Sequence, residues 1–209
     1  LDIRKILVPV DFSETSNHAT EHAAWLAATT SAELFLVHVQ SQNHYYIEAP
    51  EPFILPPDEE EIRKATEERL RIVSRELFAK YNVTSRNRVV HGKVAAELID
   101  FATAENVDLI MMGTHGAKGL EEILIGSNAQ HVVSLAPCPV ITFQKEIRHP
   151  GFPNIVLPID RSRHSREKVG VAISLATLCN SKIHIVGLLD NNDDGEYQKL
   201  QVILDQVAM

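Results

Sequence analysis

The feature that most constrains the fold is an alternation of short, almost uniformly apolar runs with longer segments that are apolar on one face only. A strand with apolar residues on both faces is buried on both faces, which is typical of the parallel strands of α/β proteins. Five such strands are predicted, at Ile6–Asp11, Leu34–Val39, Arg88–His91, Asp108–Gly113 and Pro139–Phe143.

The segments between these strands have the length and periodicity of helices. Four are predicted, at Ser13–Thr30, Asp58–Lys80, Ala95–Glu105 and Ser127–Leu135. Ser13 or Ser16 is suited to cap the first helix, and Asp58 to cap the second. The apolar stripe of the second helix is predicted to contain Ile62, Ala65, Leu70, Val73 and Leu77. The proline-rich stretch 40–57 is predicted to be a long loop.

Strands that alternate with helices require right-handed crossover connections. We therefore predict an α/β fold, with an open, mostly parallel five-stranded sheet flanked by helices, Rossmann-like in its winding. In such sheets ligands bind beyond the carboxyl ends of the strands, where the strand order reverses. The first and fourth strands are expected to be neighbours at that point.

The sequence then begins again. An offset of 149 residues aligns Ile6–Val39 with Ile155–Leu188 without a gap, and nine of these 34 pairs are identical. We interpret this as a tandem duplication, with one domain at 1–147 and an incomplete βαβα copy at 153–209. We expect the second copy to be truncated, proteolysed or partly disordered, or else to be completed by a partner chain.

Composition narrows the functional classes. The net charge of −8 argues against broad binding to nucleic acids or anionic membranes. No apolar stretch reaches the length of a membrane span, and the N-terminus leads straight into a strand without a signal-peptide pattern. With two cysteines, Cys138 and Cys179, a disulfide framework is not expected. A cytoplasmic protein is the simplest interpretation.

A glycine-rich segment follows the predicted fourth strand. Gly113 and Gly116 come directly after that strand, while Gly126 and Ser127 stand at the start of the next helix. Glycine lets backbone N–H groups approach an anion closely, and a helix N-terminus presents free N–H groups and a positive dipole end. The segment therefore predicts a phosphate-binding site, with a plain turn and helix cap as the alternative.

The spacing Gly-x2-Gly-x9-Gly-Ser resembles the nucleotide-binding motif of the universal stress protein family, in its ATP-binding subgroup. The opening Val8–Ser13 and the closing Ala136–Val140 also resemble that family, and the repeat resembles its tandem-domain members. The resemblance implies a nucleotide-binding α-hydrolase-like fold, ATP as ligand, with Mg²⁺ alongside it, and a stress-response or signalling role. It also implies a homodimer or pseudo-dimer through the fifth strand.

The resemblance implies a role for each matched residue. Backbone groups of Gly113, His115, Gly116, Gly126 and Ser127 would line the triphosphate. Asn128 and Ala129 would follow on the helix, although an apolar residue is frequent in the family at the position of Asn128. Asp11 would lie near the ribose or a nucleotide-bound Mg²⁺. Pro9, Val10 and Val39 would border the adenine, and Met112 is also expected among the nucleotide-binding residues.

Several alternatives stay open at this stage. Asp11 would serve equally as a structural cap. The histidines His38, His91, His115 and His131 are scattered without metal-ligand spacing. The Walker pattern is absent, and no general base or arginine finger is evident. A slow ATPase and an interaction scaffold with a vestigial site are therefore alternatives to a nucleotide-binding module, and whether the chain is an enzyme stays undecided.

Overall fold

The computed structural model describes residues 2–41, 58–114, 126–144, 150–160, 162–189 and 194–208. They form two compact units, Asp2–Pro150 and Gly151–Met209. Among the described residues, no helix is long and apolar enough to cross a membrane.

The first unit alternates strands and helices. Its strands are β1 (Lys5–Pro9), β2 (Glu33–Gln40), β3 (Ser85–His91), β4 (Leu109–Gly113) and β5 (Val140–Phe143). Its helices are α1 (Glu14–Thr30), α2 (Glu59–Tyr81), α3 (Val94–Glu105) and α4 (Ser127–Leu135).

All five strands are parallel and lie in the order β3-β2-β1-β4-β5. The predicted fold class is confirmed, with β1 and β4 as neighbours where the order reverses. Strands β3 and β5 form the two edges of this sheet. At the sheet centre, the side chains of Ile6, Leu7 and Val8 are fully buried, which explains why β1 is apolar at successive positions.

The first helix begins as the sequence predicts. Ser13, rather than Ser16, is its N-cap, and the Ser13 side chain accepts a hydrogen bond from the backbone N–H of Ser16. Ser16 is buried and hydrogen-bonds the end of β1, so it belongs to the first turn of the helix.

The predicted apolar stripe of α2 is wrong at one position. Ala65 is exposed, and Thr66 is buried together with Leu70 and Leu77. Positions 66, 70 and 77 lie on one helical face, whereas successive residues are rotated by about 100°. Thr66 is therefore buried on the face for which the sequence pattern had favoured its apolar neighbour Ala65.

Strand β3 begins three residues earlier than predicted, at Ser85. Its early residues alternate between half-buried and exposed side chains, because β3 is an edge strand with one solvent-facing side. The prediction looked for a uniformly apolar run and therefore detected only the later part of the strand.

The second unit contains β6 (Asn154–Ile159), α5 (Arg163–Cys179), β7 (Lys182–Gly187) and α6 (Asp194–Ala208). Strands β6 and β7 pair in parallel. The 149-residue offset maps α1 exactly onto α5 and maps the cap Ser13 onto Ser162, which caps α5 in the same way. The repeated sequence therefore builds the same local structure twice.

Candidate functional site

A cavity of about 310 Å³ lies at the carboxyl ends of the central strands of the first unit. Every predicted site residue that the structure describes lines it, namely Pro9, Val10, Asp11, Val39, Met112, Gly113, Gly126, Ser127, Asn128 and Ala129. The remaining two, His115 and Gly116, lie outside the described residues. The cavity thus joins the end of β1 to the start of α4, as expected at a reversal of strand order.

Five further lining residues were missed by the sequence analysis: Ser16, Val37, His38, Val94 and Thr114. Val37 and His38 lie near the carboxyl end of β2, and Thr114 immediately follows β4. The rule that ligands bind at the carboxyl ends of parallel strands would therefore have found these three residues. Val94 is the first residue of α3, and nothing in the local sequence signals its position at the cavity.

One end of the cavity is apolar. It is lined by aliphatic and thioether side chains, those of Val10, Val37, Val39, Val94 and Met112. The backbone N–H of Val10 donates to the carbonyl oxygen of Val37 at 2.8 Å. The carbonyl oxygen of Val10 accepts from Nδ1 of His38 at 2.7 Å. Both backbone groups of Val10 therefore have protein partners, and its aliphatic side chain adds apolar surface to the cavity.

The other end is built from glycine and a helix N-terminus. Gly126 is the N-cap of α4, and no described side chain caps this helix, whereas Ser13 caps α1 and Asp58 caps α2. A β-carbon on Gly113 would lie 2.7 Å from Oγ1 of Thr15 and 3.0 Å from the backbone of the same residue. Glycine at 113 thus allows α1 to pack closely against the end of β4.

Asp11 has a clear structural role. Its Oδ1 accepts hydrogen bonds from the backbone N–H of Ser13 at 3.0 Å and from the Ser13 hydroxyl at 2.6 Å. Its own N–H donates to Oγ of Ser16 at 3.2 Å. These contacts fix the turn that leads into α1, so Asp11 supports the cap residue Ser13 and is not itself the cap. Both of these hydrogen bonds are accepted by Oδ1, so the turn does not need Oδ2 as an acceptor.

His38 lies beside Asp11 at the cavity. Burial lowers the pKa of His38, and the positive charge of Arg69 lowers it further. The hydrogen bond to Val10 and the negative charge of Asp11 act in the opposite direction. Because a carbonyl oxygen can only accept, Nδ1 carries the hydrogen. The neutral ring then has an unprotonated Nε2.

The histidines that the structure describes do not converge on a metal site. Among the described residues, no group of three or more histidine, cysteine, aspartate or glutamate side chains is placed to hold a metal ion. His38, His91 and His131 lie on β2, β3 and α4 respectively. Cys138 packs against the core of the first unit, and burial raises the pKa of its thiol to about 11. A thiol with that pKa stays protonated at neutral pH and is a poor nucleophile.

The sequence model of the universal stress protein family matches residues 2–144. The chain belongs to the universal stress protein family. Universal stress protein MJ0531 of Methanocaldococcus jannaschii is 32% identical over 149 residues, covering 68% of this chain and 82% of that protein.

Solved structures support the same family fold. A universal stress protein from Archaeoglobus fulgidus DSM 4304 is similar over 98% of this chain and 73% of its own, with 20% identity and a TM-score of 0.73. A universal stress protein from Archaeoglobus fulgidus solved in complex with dAMP covers 69% of this chain and 100% of its own, with 21% identity and a TM-score of 0.50. At these identities the likeness concerns the fold.

Proposed function

We propose that this universal stress protein binds an adenine nucleotide, with ATP as the preferred ligand, in the cavity of its first unit. The observation that carries the proposal is the pairing of an apolar end with an uncapped helix N-terminus inside one cavity of about 310 Å³. An adenine base suits the apolar end, and a phosphate chain suits the helix end. Occupancy would change conformation or partner binding, as in a stress-response or signalling module.

The electrostatics of the lining residues favour binding through backbone groups. Neither lysine nor arginine is among the described residues that line the cavity. Backbone N–H groups at the start of α4, together with the helix dipole, would provide the positive potential. A triphosphate with this few cationic partners retains most of its charge, so we propose that Mg²⁺ accompanies it and that Asp11 is the protein group nearest the ion.

The second unit is proposed to be an incomplete copy of the same domain. Its described residues include counterparts of β1, α1 and β2, but no counterpart of β4 or α4, which build the phosphate end of the cavity in the first unit. We therefore expect one nucleotide per chain.

Equilibrium titration tests this proposal. The purified chain is titrated with ATP, ADP, GTP and inorganic triphosphate, each with and without Mg²⁺, by calorimetry. We expect one ATP per chain and weaker binding of GTP and triphosphate. Gly116→Val, which narrows the predicted phosphate loop, should abolish binding. The matched control Asp160→Ala alters the equivalent turn of the second unit and should leave ATP affinity unchanged.

Two results would contradict the proposal. A lack of saturable ATP binding below millimolar concentration would leave the cavity as a vestigial site in an interaction scaffold. Unchanged affinity in Gly116→Val would mean that the phosphate loop is misassigned. Phosphate release measured over hours on the same samples separates a binding module from a slow ATPase, since a module retains the bound ATP.

A further inference from the structure

The ring of Phe12, in the turn between β1 and α1, contacts two side chains from other elements. The guanidinium carbon of Arg69, on α2, lies 3.8 Å from the centroid of the Phe12 ring. The ring of His38, on β2, has its centroid 5.3 Å from that of Phe12, at an interplanar angle of 31°. We refer to these three residues as the Phe12 stack.

The Phe12 stack lies between two concave surfaces. His38 lines the candidate nucleotide cavity, whereas Phe12 and Arg69 line a separate groove between α1 and α2. Val10 and Val39 also line the cavity, and Val10 accepts the hydrogen bond from His38. The stack therefore borders the apolar end of the cavity, where the base is proposed to bind.

The backbone at Phe12 is strained. Its φ of 64° lies in the left-handed region, which a bulky non-glycine residue rarely adopts. Residues in such conformations persist where the surrounding structure holds them, and they cluster at functional sites. A glycine would adopt this backbone without strain, and what the phenylalanine adds at this position is the contact of its ring with Arg69 and His38.

The second unit shows that the turn does not need the stack in order to form. Asp160 accepts from the N–H of Ser162 at 2.8 Å, and the N–H of Asp160 donates to Oγ of Ser165 at 3.2 Å, as the equivalent residues do in the first unit. In the aligned sequence, however, position 161 is Arg where the first copy has Phe12, and Gly187 replaces His38. The strand end and the helix cap therefore form without a phenylalanine or a histidine at these positions.

We infer that the Phe12 stack is a specificity wall that limits the size of the base the cavity accepts. This inference rests on the proposed function, since it assigns the residues that set base selectivity at the same site. Phe12, with Arg69 against its ring, packs on the imidazole of His38, and the hydrogen bond to Val10 fixes the orientation of that imidazole. When the Phe12 ring is removed, the imidazole of His38 loses its support on the groove side. The cavity then extends towards the groove, and larger bases fit.

The test compares ATP with two base-enlarged analogues, N6-benzyl-ATP and 2-benzylthio-ATP, in wild type and variants. Phe12→Gly removes the ring and also relieves the left-handed strain, so the variant is expected to fold. Arg69→Met removes the guanidinium but keeps an unbranched side chain on α2. Arg75→Met is the matched control, because Arg75 is exposed on the same helix and pairs only with Glu68 among its described contacts.

We expect wild type and Arg75→Met to reject both analogues. In Phe12→Gly, the preference for ATP over at least one analogue should fall by roughly tenfold, with a smaller change in Arg69→Met. The thermal midpoint is measured in parallel, since a merely structural role would lower stability without improving the binding of a larger ligand.

A wild-type preference for ATP in both Phe12→Gly and Arg69→Met would overturn the specificity wall and leave the nucleotide proposal intact. Failure of the wild type to bind ATP would overturn both. ATP binding by the wild type therefore tests the nucleotide proposal, and the selectivity of the two variants tests the specificity wall.

Discussion

The backbone N–H of Gly126 donates a hydrogen bond to the carbonyl oxygen of Thr114 at 2.8 Å, and a β-carbon on Gly126 would lie 2.8 Å from that same oxygen. Thr114 in turn donates its N–H to the carbonyl oxygen of Phe143 at 2.9 Å. The start of α4 is thereby tied through Thr114 to the end of the edge strand β5. The glycine is required because the two backbone segments approach too closely for any side chain.

Gly126→Ala should therefore weaken both the fold and the site. The new methyl group would push the start of α4 away from Thr114, at a cost of about 1–3 kcal/mol in the free energy of unfolding. ATP affinity should fall by more than tenfold, because the displaced N–H groups are those proposed to bind phosphate. Both quantities are measured by denaturant unfolding and calorimetry.

Gly170→Ala is the control for this substitution. Gly170 lies within α5, and a β-carbon there would meet no atom within 4 Å. Alanine should stabilise that helix by about 0.5–1 kcal/mol and leave ATP affinity unchanged. Equal ATP affinity in Gly126→Ala and wild type would contradict the proposed placement of the phosphates.

Asp11 allows its structural and ligand roles to be separated. Asp11→Asn keeps an oxygen able to accept from Ser13 and removes the charge, whereas Asp11→Ala removes both. We expect Asn to preserve stability and Ala to cost about 1 kcal/mol. Both should reduce the enhancement of ATP binding by Mg²⁺, measured as the ratio of affinities with and without the metal. A full Mg²⁺ enhancement in Asp11→Asn would show that Asp11 serves only the turn.

Stability should depend on pH through two histidines of the first unit. His22 is buried in α1 and stacks on Phe143, with ring centroids 4.8 Å apart. Burial lowers its pKa from the ordinary 6.5, and burial also lowers the pKa of His38. Below about pH 6.5 the unfolded chain therefore binds more protons than the native state. Stability is fully present above that pH and is lost as the pH falls through the folded-state values.

His22→Phe retains a ring against Phe143 and removes one of these protonation sites. Its loss of stability between about pH 6.5 and 5 should be smaller than that of the wild type, as followed by urea unfolding at each pH. His91→Gln, at the exposed end of β3, is the control and should behave like the wild type. An unchanged pH slope in His22→Phe would show that His22 does not contribute.

Much of the first unit could be predicted from the sequence because its signals are local. The central strand β1 is apolar at successive positions, and Ser127–Leu135 is bounded by Gly126 and by Ala136-Pro137, so the predicted limits of α4 match the observed ones. Strand β3 was predicted only in part, because an edge strand alternates in polarity and resembles a loop.

The candidate site, like the fold, could be predicted only in part. Its glycine end follows from a spacing along the chain, and the described residues of that spacing do line the cavity. The Phe12 stack was not predicted from the sequence, because side-chain packing there joins the turn after β1 to β2 and α2. Neither the positive φ of Phe12 nor the contact of Arg69 with its ring has a signature in local sequence.

The edge strand β5 gives a last prediction, on assembly. Carbonyl oxygens of Pro139 and Phe143 accept hydrogen bonds from the β4 side, from Ile110 and Thr114 respectively. Backbone groups alternate in direction along a strand, so those of Thr142 point to the open edge. If the chain dimerises through this edge, Thr142→Pro removes an outward N–H without breaking the pairing with β4, since proline is tolerated at edges. We expect Thr142→Pro to be a monomer and the wild type a dimer in light scattering. The thermal midpoint of the variant, measured by thermal unfolding, should be nearly unchanged. A monomeric wild type, or a Thr142→Pro variant that stays dimeric, would exclude assembly through β5.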